Sequence, residues 1–234
     1  MRFSGKQIVV TGAASGLGLA IARAAEAEGA RIIALDRDPA PFADALRCDV
    51  SDEAQVRGAL ADVERLDGLV NSAGVPLRTT VPDTAMADYD RLMAVNLRGS
   101  FLAAKYAIPK MRGQGGAILH LSSVTGTTGT RGRAAYSASK GAIIALTRAM
   151  ALDHAAERIR VNCLCPGFVD TPLLAKMAPD KRARLAAAHP LGRIGTVADI
   201  VPMALLLLSD DGAWITGQAI GVDGGFNAGR MEDI

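Results

Sequence analysis

The chain is poor in the residues that several functional classes require. It has three histidines among 234 residues. His120 falls in an apolar, strand-like segment, His154 lies near a helix end, and His189 directly precedes Pro190. None has metal-ligand spacing, so no metal site is expected and each reads as a structural or surface residue. Three cysteines cannot all pair, and Cys163 and Cys165 occupy alternate positions of one strand-like segment with no second ligand pair nearby. They read as reduced packing residues of a cytoplasmic protein. An excess of one charge is also missing: 26 Lys and Arg face 24 Asp and Glu, for a formal net charge of +2. No basic run is interleaved with aromatics, which argues against a nucleic-acid partner. The longest strongly apolar run, Met203 to Leu208, is far too short to cross a membrane. The chain enters its first strand-like segment almost at once, leaving no room for a signal peptide.

What it has in quantity is apolar sequence, 50% of residues. That is enough for one large domain with a single core, residues 1–234. Strand-like segments run from Gln7 to Val10, Arg31 to Leu35, Ala45 to Cys48, Leu66 to Asn71, Ala117 to Leu121, Arg160 to Leu164 and Ala219 to Val222. Helical patterns fill Leu17 to Glu28, Asp52 to Arg65, Met86 to Met111, Ala134 to Ala156 and Thr196 to Leu208. This alternation predicts an α/β fold, a doubly wound parallel sheet of about seven strands with helices on both faces.

Two motifs carry chemistry. Thr11-Gly-Ala-Ala-Ser-Gly16-Leu-Gly18 follows the apolar run Ile8-Val9-Val10 and opens a helix marked by Leu17, Ile21 and Ala25. A strand, a glycine turn and a helix N-terminus make an anion site suited to a pyrophosphate. The glycine spacing is wider than G-x-G-x-x-G. The second strand ends at Asp36, where a carboxylate can bind adenosine ribose hydroxyls. In the second motif, Tyr136-Ser-Ala-Ser-Lys140, four residues separate a phenol from an ammonium and bring both onto one helix face. A phenol with a pKa of about 10 is a poor base at neutral pH. A nearby cation stabilises the phenolate and moves it toward general acid/base work.

With both motifs in place, nearly the whole chain resembles the short-chain dehydrogenase/reductase family. The family's glycine motif matches Thr11, Gly12, Gly16 and Gly18, with Ser15 and Leu17 between them. Its Asn-Asn-Ala-Gly element reads Asn71-Ser72-Ala73-Gly74, and its Asn-x-x-Gly element reads Asn96-Leu-Arg-Gly99. The serine of its catalytic strand corresponds to Ser123, thirteen residues before Tyr136. Pro166-Gly167 with Val169 and Thr171, and Gly221-Val-Asp-Gly-Gly225, match its later elements.

The resemblance implies a Rossmann fold and a Ser-Tyr-Lys-Asn site. Tyr136 would exchange a proton with the substrate oxygen while hydride moves to or from nicotinamide. Lys140 would lower the phenol's pKa and bind the nicotinamide ribose. Ser123 would hydrogen-bond the reacting oxygen, and Asn96 would hold a water linking Lys140 to solvent. Asp49 and Val50 would contact adenine.

Asp36, with Ser15 where NADP-preferring relatives often carry a basic residue, favours NAD over NADP. Arg37 is either a phosphate partner or, the favoured reading, a solvated loop arginine. The stretch from Arg37 to Asp44, with Pro39 and Pro41, is too short for a full helical crossover. It either exposes the adenine pocket or has no effect.

Residues 173–195 should form a mobile lid presenting Leu173, Leu174 and Met177 to a secondary alcohol, diol or ketone. Lys181, Arg182 and Arg184 either attract an anion or form a solvated face. Arg131 and Arg133 are candidates for substrate or subunit contacts. The alternatives to an NAD-dependent dehydrogenase are a 3-oxoacyl carrier-protein reductase and a non-catalytic nucleotide sensor. The apolar helices Met86 to Met111 and Ala134 to Ala156 suggest a homotetramer like that of relatives that pair through these helices.

Overall fold

A computed structural model describes residues 1–172, 174–175 and 177–229. Seven strands form one sheet: β1 (Gln7–Thr11), β2 (Arg31–Asp36), β3 (Asp44–Arg47), β4 (Gly68–Asn71), β5 (Gly116–Leu121), β6 (Ile159–Pro166) and β7 (Ala219–Val222). Their order is β3-β2-β1-β4-β5-β6-β7, and every pairing is parallel. The direction of winding reverses between β1 and β4, which opens a crevice at the carboxyl ends of those strands.

The strands are apolar on both faces because helices cover both. On β1, Ile8 and Val10 point to one layer and Val9 to the other, as alternation along a strand requires. The first layer packs under α1 (Gly16–Ala27) and α8 (Val197–Leu208) through Ile21, Ala25, Ile200 and Leu205. The second packs under α2 (Glu53–Ala59), α4 (Gly99–Ala107) and α6 (Ala134–His154) through Val56, Leu102, Ala103 and Met150.

Helix ends follow local sequence. Asp52 caps α2 by accepting the Ala54 and Gln55 N–H groups. At α8, Thr196 and Asp199 form a capping box, and Arg193 pairs with the Asp199 carboxylate.

The second helix departs from expectation, whereas the crossover after β2 is short as expected. The helix expected over Asp52 to Arg65 ends at Ala59. Gly58 weakens its last turn by roughly 1 kcal/mol relative to alanine, and the chain then unwinds so that Leu60 and Leu66 both bury fully. The crossover from β2 to β3 has no helical turn, only turns and bends. It can be this short because β3 starts level with Ile33, only three residues back from the end of β2. The return is therefore about 10 Å at the rise of a strand. Phe42 packs on the first layer, with the Arg23 guanidinium 4.6 Å from its ring centroid, and covers the surface a helix would have taken.

The long helix expected over Met86 to Met111 is segmented. It runs as α3 (Met86–Met93), a π-helical turn (Ala94–Arg98) and α4, and closes in a 3-10 turn, Ile108–Lys110. A π turn inside a helix often marks a functional site, and this one carries Asn96.

Candidate active site

A cavity of about 580 Å³ lies at the carboxyl ends of the strands, where the order reverses. The glycine turn after β1 builds its floor. Gly12 has φ 68°, and a Cβ there would lie 2.7 Å from the Ala73 nitrogen. A Cβ on Gly18 would fall on the Gly12 carbonyl oxygen. Only glycine permits these approaches.

Ser15 begins α1 in an extended conformation and makes no side-chain cap. Ser15, Gly16 and Leu17 line the cavity, and the N–H groups of a first helical turn have no intrahelical partner. At the end of β2 the Asp36 carboxylate accepts the N–H groups of Ala14 (2.9 Å) and Asp38 (3.1 Å), which ties the glycine turn to the second strand. Asp49 accepts the N–H and hydroxyl of Ser51. Those bonds, with Arg37 nearby, hold its carboxyl below the usual range.

The catalytic candidates converge from β5, the π turn and α6. Ser123, the N-cap of the helical turn α5 (Val124–Thr127), lines the cavity with Tyr136 and Lys140. Ser122 also borders the cavity, but its hydroxyl donates to the Lys140 carbonyl at 2.8 Å. Lys140 is buried, and its Nζ donates to the Leu121 carbonyl at 2.8 Å. Nζ lies 5.8 Å from the Tyr136 ring centroid, and the Arg133 guanidinium lies 5.6 Å from it. Asn96 is buried at the π turn. Its Oδ1 accepts the Val75 N–H at 2.8 Å, and its Nδ2 donates to the Val75 carbonyl and to Ser139 Oγ, both at 3.1 Å.

The comparisons agree with this geometry. The family profile described as Enoyl-(Acyl carrier protein) reductase matches residues 12–227. The chain is 39% identical to 2-(S)-hydroxypropyl-CoM dehydrogenase 3 of Xanthobacter autotrophicus, over 97% of this chain and 98% of that one. The chain is a short-chain dehydrogenase/reductase. The same organism's inactive 2-(S)-hydroxypropyl-CoM dehydrogenase 2 is 41% identical, over 89% of this chain and all of the relative. Among solved structures, the ligand-free aldohexose dehydrogenase of Thermoplasma acidophilum superimposes with a TM-score of 0.92. It is 32% identical, over 98% of this chain and 96% of that one.

Members of this family are oxidoreductases that use nicotinamide cofactors. Most residues singled out in this short-chain dehydrogenase/reductase line the cavity. On the floor and at its β2–β3 end these are Gly12, Ser15, Gly16, Leu17, Asp36, Arg37, Asp49 and Val50. Ala73, Gly74, Pro166, Gly167, Val169 and Thr171 line the rest.

Three do not reach it with a side chain. Gly18 lies behind Gly12, where its lack of a Cβ lets α1 approach the turn. Asn71 is buried in the sheet, with Nδ2 against the Ser100 carbonyl and His120 Nδ1. Asn96 bonds through its side chain to Val75 and Ser139 and so clamps the loop after β4. Of the lid residues, Leu174 and Met177 line the cavity, and Leu173 lies outside the described residues.

Arg182 pairs with Asp170 and Arg184 with Asp180, whereas Lys181 lines the cavity. Sequence reasoning missed Arg78 and Val95, which also line it. Nothing in their own segments distinguished them; only the fold brings the loop after β4 beside α6. A second cavity lies at the amino ends of β1, β5 and β6, the wrong end of a parallel sheet for a ligand crevice.

Burial dominates the electrostatics. It pushes the Tyr136 phenol up, while the Arg133 cation and the Ser123 hydroxyl pull it down. It pushes His120 down to about 4, with Lys140 adding to the effect, so this imidazole is neutral near pH 7. It pushes Lys140 down to about 8.

An unfolded lysine titrates near 10.4. Between about pH 8 and pH 10.4 the unfolded chain therefore holds more protons, and the destabilisation from Lys140 is relieved as pH rises through that window. Below pH 8 the full penalty applies. Lys140→Met should accordingly be more stable than wild type at pH 7, by on the order of 2 kcal/mol. The gain should shrink toward zero by pH 10.4. Denaturant midpoints across that range check this; a wild type more stable at pH 7 would contradict it.

Proposed function

We propose that this enzyme is an NAD-dependent dehydrogenase that moves hydride between nicotinamide and a secondary alcohol, diol or ketone. One observation carries the reading: the uncapped N-terminus of α1 and the group of Ser123, Tyr136 and Lys140 open onto a single cavity. The residues fit a dinucleotide. The glycines let the turn after β1 pack directly on the turn after β4 and on α1, unpaired N–H groups suit a pyrophosphate, and Asp36 can still accept hydrogen bonds on its remaining lone pairs.

When bound there, an oxidised nicotinamide supplies the hydride acceptor. Ser123 donates to the substrate oxygen and fixes the carbinol. Tyr136, as phenolate, takes the hydroxyl proton while the carbinol C–H leaves as hydride and the C–O bond becomes a carbonyl. Lys140 would hold a ribose hydroxyl of the cofactor, and its charge would favour the phenolate. Asn96 holds the loop after β4 against α6. The named relatives, a hydroxypropyl and an aldohexose dehydrogenase, act on hydroxyl-bearing small molecules, in line with this class. The profile's description favours a second reading, a carrier-protein-linked reductase.

Phe101 on α4 and Leu152 on α6 are exposed apolar residues, which supports a homotetramer formed through these helices. Light scattering at micromolar protein should give four times the 24.2 kDa chain mass; a monomer mass rules it out.

Tyr136→Phe keeps the ring and removes the proton. Turnover should fall by about 10²–10⁴-fold with NADH binding retained, measured by steady-state rates and fluorescence titration. Survival of more than about a tenth of wild-type turnover would sink the phenol as the acid/base.

The Asp36 carboxylate would face the 2′-phosphate of NADP at close range, and Ser15 offers no cation against it. Wild type should therefore prefer NAD in kcat/KM by about two orders of magnitude. Asp36→Ala should narrow that ratio. An NADP preference in wild type would show Arg37 outweighing Asp36 and move the reductase reading ahead.

A further inference from the structure

The substrate end of the cavity carries two arginines that the chemistry above does not use. Thr79 and Arg133 form a parallel backbone bridge that joins the loop after β4 to the start of α6. Arg78 and Arg133 both line the cavity beside Tyr136. Among the described residues neither guanidinium has a carboxylate within 4.0 Å or a hydrogen-bond acceptor, although those of Arg91, Arg182, Arg184 and Arg193 each pair with an aspartate.

Arg133 is half-buried. Burial first, and the neighbouring Arg78 charge as well, disfavour its cation, with only the Tyr136 phenol opposing. Two like charges on one wall of a cavity are costly unless an anion joins them. The acidic lining residues, Asp36 and Asp49, lie at the far end near β2 and β3. Lys181, in the first turn of α7 (Pro179–Ala187), adds a third cation to the lining. Val95, Leu174 and Met177 supply apolar surface.

We propose that the substrate is a hydroxy acid, a secondary alcohol whose carboxylate or sulfonate is gripped by Arg78 and Arg133. This deepens, and rests on, the dehydrogenase reading above. The acid takes no part in the bond changes; it orients the carbinol toward Ser123 and Tyr136. The guanidinium groups also matter to the phenol, because an uncompensated anion beside it would hold its proton on. The closeness of Arg133 to the Tyr136 ring limits the substrate to a few carbons between acid and carbinol.

The test compares matched pairs with NAD at low ionic strength: 3-hydroxybutyrate with 2-butanol, and 2-hydroxypropanesulfonate with 2-propanol. At least one anion should exceed its neutral partner in kcat/KM by about tenfold or more, with KM rising as salt is added. Arg133→Gln and Arg78→Gln should each lower the anion-to-neutral ratio, chiefly through KM, and Arg133→Lys should restore part of it. Turnover without preference for either anion overturns the inference and leaves the dehydrogenase reading standing. If no alcohol or acid turns over, that reading fails, and calorimetric binding of butyrate to the NADH complex decides this one. Binding weakened by about tenfold in Arg133→Gln supports it; equal or absent binding overturns it.

Discussion

The turns after β1 and β4 touch backbone to backbone, and the rest of the site takes its position from that contact. Thr11 Oγ1 accepts the N–H groups of Ser72 and Ala73 at 3.2 and 3.3 Å, while Gly12 lies against Ala73. The glycine floor is thereby fixed to the loop after β4. Val75 of that loop is clamped by Asn96, and Asn96 reaches Ser139 on α6, one residue from Lys140. A continuous set of bonds thus runs from the pyrophosphate end to the phenol. The π turn is part of it, since it carries Asn96 inward to face both partners.

A second constraint is the competition between burial and charge at Tyr136. The protein surrounds the phenol closely enough that desolvation wins and its proton is held more tightly than in water. Lys140, the cation meant to oppose this, is bonded to the Leu121 carbonyl and has itself been pushed down to about 8. In the proposed mechanism Lys140 would hold a ribose hydroxyl, and the positive charge of an oxidised cofactor would favour the phenolate.

The parallel sheet was legible because buried strands such as Ile8-Val9-Val10 and Ile32 to Leu35 are apolar on both faces and alternate with helical patterns. The glycine turn was legible because backbone contact leaves no alternative to Gly12 and Gly18. The short second helix was not, since the need to bury Leu60 and Leu66 is a tertiary fact. The crossover after Asp36 was legible as short, but the way it closes depends on β3 pairing only with the last residues of β2. The arginine pair was half visible. Arg133 stands beside the Tyr136 motif, but Arg78 becomes its neighbour only when the loop after β4 folds against α6.

The central claim is that cofactor binding turns a half-buried, suppressed phenol into an acid/base. The chain has three tyrosines, so phenolate absorbance in the near ultraviolet can be followed through a pH titration, with Tyr136→Phe isolating one residue's contribution. Without cofactor, the Tyr136 contribution should ionise above the ordinary value of about 10. With NAD bound it should ionise well below that value, by about two units or more. A Tyr136 signal that titrates at the same pH with and without NAD would contradict the account.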